Sequence, residues 1–174
     1  HAHGGSDPFD RLLLEDEIAM EYSRAGGRAV VFKTWFTPSA SRIALVRKSL
    51  RKWQDETGIK PVDIFGGVTL NYSVGGINPE AVKRCLGFPG FQYVWMPMVD
   101  SYHHRRLVYD DWSGAGLKLL DDRGKVLPEV TEVLRIAADR NLIVGSGHYP
   151  YSDTKALFEE AKRVGVKRME IIHP

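Results

Sequence analysis

Leu142-Ile143-Val144-Gly145-Ser146-Gly147-His148, an amphipathic stretch over 153–164, and Arg168-Met169-Glu170-Ile171-Ile172-His173 are the lines on which the fold turns. A short apolar run, a helical period and a second short apolar run read as strand, helix, strand. The same alternation runs backwards through the chain. Helices are expected over 11–25, 38–57, from Pro79, and over 128–140; strands over 29–33, 62–70 and 92–98. Gly26-Gly27 and Gly58 stop the first two helices, and Pro79 suits the first position of the third. Residues 99–116 read as a long irregular loop, and 117–127 as a β-hairpin around Asp121-Asp122-Arg123-Gly124.

Strands that alternate with helices make an α/β fold with a parallel sheet. Reactive residues fall at the same end of several strands, which favours a TIM-type (β/α) barrel over an open doubly wound sheet. About six of eight barrel strands are expected, counting one that would run into His1. Neither end reads as a natural domain edge, so a little chain is expected in front of His1 and more behind Pro174.

The 174 residues supply one core and are read as a single domain over 1–174. With 24 basic against 22 acidic residues the net charge is +2, too small a field to call for nucleic acid or an anionic membrane. Cys85 is the only cysteine, so no internal disulfide can form; it is expected as a small buried residue, and a reducing cytoplasmic setting fits. No apolar run approaches the ~20 residues that span a bilayer. A small-molecule substrate is the expected partner, and a homo-oligomer is compatible with it.

Four of the six histidines fall where strands end. His1 and His3 are two residues apart, so on a strand both face one way. His148 and His173 each close an apolar run. Parallel strands bring such ends to one rim, so His1, His3, His148 and His173 are the expected ligands of a divalent cation. Zinc suits imidazole best, with manganese or iron possible, and one ion is favoured over two. Such an ion lowers the pKa of a water to ~7 and polarises a carbonyl.

These features resemble the amidohydrolase superfamily. Its members carry HxH on the first strand, a histidine after the fifth, another after the sixth, and an aspartate after the eighth. His1-Ala2-His3, His148 and His173 match in order. Val30-Val31-Phe32-Lys33, Phe65-Gly66-Gly67-Val68-Thr69-Leu70-Asn71 with Gly75-Gly76-Ile77-Asn78-Pro79, Tyr93-Val94-Trp95-Met96-Pro97, Gly145-Ser146-Gly147-His148 and Ile172-His173-Pro174 are similar to an uncharacterised branch of amidohydrolase-like metal-dependent hydrolases. The resemblance implies a barrel hydrolase. The superfamily's aspartate, its usual base, would lie beyond Pro174. The metal-bridging lysine of some members is missing from Trp95-Met96-Pro97-Met98-Val99-Asp100.

Lys33, after four apolar residues, is the candidate substitute for that lysine; it would be carbamylated or hold a substrate carboxylate, and otherwise snorkels at the rim. Asp100 is a second catalytic candidate, able to orient a histidine or bind the metal, and otherwise to cap a loop. Asn71, His103, His104 and Tyr149 are candidate substrate contacts, the two adjacent histidines as loop residues; turn formation is the alternative for Asn71 and plain packing for Tyr149. Asp153 reads as a helix N-cap. Gly66-Gly67 and Gly75-Gly76 lack phosphate-loop partners and read as tight turns. The expected chemistry is hydrolysis of an amide, lactone or ester. Non-oxidative decarboxylation or phosphoester cleavage on the same metal, and an inactive ligand-binding barrel, are the alternatives.

Overall fold

A computed structural model describes residues 1–5 and 7–173. The chain forms two compact units, residues 1–68 with 85–92 and residues 69–84 with 93–174. Its named strand pairs are parallel and separated by helices, an α/β arrangement.

In the first unit, β1 (Ala29–Val31) pairs with β2 (Asp63–Thr69), Ala29 opposite Asp63 and Val31 opposite Phe65. Ala2 adds an isolated parallel bridge to Phe32: Ala2 N–H donates to the Val31 carbonyl at 2.8 Å, and Lys33 N–H to the Ala2 carbonyl at 3.0 Å. Two helices cover the pair. The first, α1 (Glu15–Arg24), starts four residues later than its periodicity suggested, because Leu14 N–H finds Glu17 Oε2 at 2.7 Å and fixes the first turn there. The second, α2 (Ile43–Thr57), follows a 3-10 turn over Ser39–Arg42. It buries Ile43, Val46, Leu50 and Trp53, one helical stripe, and ends at Gly58 with φ 72°. Val30, Phe32, Val62 and Ile64 meet that stripe in the core with Ala19 of α1.

The 3-10 turn lies directly on β2. A Cβ on Gly66 would stand 2.6 Å from the Ala40 nitrogen, so only glycine permits the approach. Ser39 Oγ then donates to the Phe32 carbonyl at 2.6 Å and accepts from Gly67 N–H at 2.9 Å, stitching the turn to both strands. Glu15, 4% exposed, is neutralised by Arg42, whose Nη2 and Nε reach its two oxygens at 2.6 and 3.1 Å.

α3 (Pro79–Cys85) begins on its proline as expected, and Cys85 at its end is buried, its thiol pushed up to about 11 by desolvation. β3 (Phe91–Trp95), of which residues 93–95 belong to the second unit, β4 (Ile143–Gly145) and β5 (Arg168–Glu170) are parallel neighbours, with Trp95 opposite Gly145 and Gly145 opposite Glu170. α5 (Pro128–Asp139) buries Val130, Val133, Leu134 and Ala137; α6 (Tyr151–Arg163) buries Leu157 and Ala161.

Three expectations need correction here. Residues 102–108 are not loop but a short helix, α4 (Tyr102–Val108). Ser101 caps it by accepting from His104 N–H at 3.1 Å, and Tyr102 N–H bonds to the Leu117 carbonyl. The hairpin shrinks to a single antiparallel bridge, Leu120 to Val126, because Asp121 Oδ1 draws the amides of Arg123 and Lys125 inward and closes a tight turn. Asp153 is not an N-cap. Pro150 occupies that position, and Asp153 one turn in accepts from Tyr102 Oη at 2.8 Å and Ser152 Oγ at 2.9 Å.

Candidate metal-binding histidines

The Ala2 bridge sets the direction of its neighbours in the first unit. His1 and His3 flank it, and their rings stand 5.4 Å apart, edge to face. Two imidazoles that share an ion at ~2.0–2.1 Å have centroids roughly 5 Å apart, so the pair has the spacing of co-ligands. The Trp35 ring packs edgewise on His3 at 5.8 Å.

Burial lowers the His3 pKa to about 4; the nearby Lys33 and Arg11 charges add to this, and Asp7 opposes them. The ring is therefore neutral at physiological pH. It hydrogen-bonds to the Lys33 backbone, while Nδ1 is buried with no hydrogen-bond partner. One nitrogen tied to the main chain and the other carrying a buried lone pair is how a ligating histidine is normally held. Imidazole nitrogens are donors of the kind a zinc-like cation takes, and His1 and His3 supply two of them. Lys33, two residues past β1, is 1% exposed. It is a buried lysine, not one that snorkels to the rim.

In the second unit, β4 ends at Gly145 and the chain turns through Gly147 at φ 75°. A Cβ there would lie 2.5 Å from the Pro97 carbonyl oxygen, so glycine lets the backbone cross the end of β3. His148 N–H then donates to that same carbonyl at 3.0 Å. His148 is half-buried, and its Nε2 is fully buried. The His173 ring is 5.3 Å away, three residues beyond β5, and His173 adopts φ 51°.

His104 was expected in a loop. Instead it sits in the first turn of α4 with its ring 4.9 Å from that of His148 and nearly parallel to it, the two Nδ1 atoms 2.9 Å apart. Sequence reading missed this contact. Ser101 three residues ahead of His104 has the spacing of an N-cap and could have signalled the helix; nothing local signals the partner. Burial lowers the His104 pKa, against the pull of Asp100. His103 packs edgewise on Tyr102 at 6.2 Å, away from any such pairing in the contacts described.

The other candidates are placed as follows. Asp100 Oδ2 accepts from Tyr72 N–H at 2.8 Å, the loop-capping alternative. Asn71 is fully buried and its Oδ1 accepts from the amides of Met98 at 2.9 Å and Asp100 at 3.4 Å. Tyr149 is buried with Oη donating to the Leu117 carbonyl at 2.8 Å, and burial lifts its pKa well above the ordinary phenol. With Ile172, His173 and Phe158 it lines a pocket of about 680 Å³, bordered by Lys155 and Lys162. Among the described residues no three His, Cys, Asp or Glu side chains gather closely enough to form a metal site by themselves. No helix among them is long and apolar enough to cross a membrane.

No match to a curated protein was found. A crystal structure of histidinol phosphate phosphatase from Lactococcus lactis subsp. lactis, complexed with zinc, L-histidinol and phosphate, is similar at a TM-score of 0.43 and 12% identity. The match covers 98% of this chain and 82% of that one; at such a score it carries no argument about fold or chemistry. Residues 1–174 match DUF6282, a family of unknown function, and the chain belongs to it.

Proposed function

We propose that this chain is a metal-dependent hydrolase of the amidohydrolase kind, part of a TIM-type (β/α) barrel, with one zinc-like cation held by His1, His3, His148 and His173. The supporting observation is His3: a neutral imidazole, tied to the Lys33 backbone on one side and holding a buried Nδ1 without a partner on the other. A buried polar atom left in that state costs about 1–3 kcal/mol unless something binds it. The paired rings at His1/His3 and at His148/His173 supply further imidazole donors at suitable spacing.

When bound, the cation supplies a Lewis acid and a water of lowered pKa for attack on an amide, lactone or ester carbonyl. Lys33 brings a buried positive charge beside His3, suited to hold a substrate carboxylate. Tyr149 and His173 wall the apolar pocket of the second unit and suit the non-reacting part of a small substrate. Asn71 and Asp100 hold backbone amides with their side-chain oxygens, so their contribution is to keep the loops in place.

The test is elemental analysis of protein purified without chelator, followed by a panel of amide, lactone and ester substrates. About one equivalent of tightly bound divalent metal is expected in the wild type. His148→Ala should lose both the metal and any turnover. Full metal content in that variant refutes the ligand set.

A further inference from the structure

His104 and His148 present their Nδ1 atoms to each other at 2.9 Å, a hydrogen-bond distance. Two lone pairs would repel at that separation, so one proton lies between the two rings. The rings are inclined by only 22°, which lets an N–H of one point in the plane of the other. The contact is built rather than incidental. Ser101, fully buried, donates its hydroxyl to the His148 carbonyl at 2.6 Å and accepts from His104 N–H at 3.1 Å. One hydroxyl therefore fixes both backbones and sets the register of the rings.

The direction of that bond decides what His148 can do. If His148 accepts, its proton is on Nε2 and neither nitrogen offers a lone pair. If His148 donates from Nδ1, Nε2 is left bare. We propose that His104 is a positioning residue: its Nδ1 accepts the Nδ1–H of His148, which locks the His148 tautomer and turns the Nε2 lone pair toward the cation. Ligating histidines usually donate their second N–H to a carboxylate, a carbonyl or water. Here the neighbouring imidazole of His104 takes that part. The inference rests on the metal-binding role proposed for His148.

Two-bond 15N–1H correlations on metal-free protein labelled at histidine read the tautomer directly, the His148 signals being assigned by their loss in His148→Gln. Co(II) titration reads affinity. In the wild type His148 should appear as the Nδ1–H tautomer. His104→Leu should move it to Nε2–H and weaken Co(II) binding by about 10–100-fold. His104→Asn, which restores a side-chain acceptor, should recover most of both, and thermal melts report whether each variant is folded. A wild-type His148 protonated on Nε2 overturns the proposal, as does a folded His104→Leu with tautomer and affinity unchanged. A wild type that takes up no Co(II) sinks the metal-binding role itself, while the tautomer's response to His104→Leu still decides whether His104 sets it.

Discussion

Acid should destabilise the metal-free protein through one half-buried imidazole, His3. Its pKa falls from the ordinary 6.5 to about 4, first by burial and then through Lys33 and Arg11. The sign follows from linkage: between those two values the unfolded chain takes up a proton that the folded chain refuses, so stability drops as pH falls from about 6.5 to about 4 and is flat below. At ~1.36 kcal/mol per pH unit, the full difference sets a ceiling of roughly 3.4 kcal/mol. His3 is only about half-buried and part of the effect is charge repulsion screened by solvent, which brings the expectation to about 1–2 kcal/mol. The assay is urea unfolding of EDTA-treated wild type and His3→Gln at about pH 7 and about pH 4.5. The variant lacks the titrating group, so the gap between the two proteins should shift by that amount in the variant's favour on acidification. A gap that is the same at both pH values refutes the account of His3 as a neutral, desolvated ring.

Two further substitutions probe the supports of the histidines. Gly66→Ala drives a methyl to 2.6 Å from the Ala40 nitrogen and should cost about 1–3 kcal/mol, seen as a lower urea midpoint at unchanged slope. Ser101→Ala removes the hydroxyl that holds both the His148 carbonyl and the His104 amide; a loss of about 1–3 kcal/mol is expected, and thermal melting at wild-type midpoint would show that neither bond matters.

Elements whose apolar period is strong were legible in the sequence. β1, β2, β4 and β5 fall inside the expected runs, and β3 overlaps its run, starting one residue ahead of it. The buried stripe of α2 is the one its spacing implies. Weak periods failed. Tyr102–Val108 carries two histidines and two arginines in seven residues, so it has no clean apolar face, and its helix depends on a cap at Ser101 and a bond to the distant Leu117. Lys33 was legible as a lysine after an apolar run, but the depth of its burial is a tertiary fact. The His1/His3 pairing follows from spacing two on an extended backbone; the His104–His148 contact joins residues 44 positions apart and leaves no local trace.

Asn71 does with a side chain what a strand would do with its main chain. Past the last residue of β3, Met98 and Asp100 have amides that would otherwise need another strand alongside, and one carboxamide oxygen takes both. The segment that follows is moored there, and again by Ser101 on the His148 carbonyl and by Tyr102 on Leu117 and Asp153. Farther out, Trp112 to Ala115 are exposed, so exchanges there should leave the strand ends and the histidines beside them undisturbed.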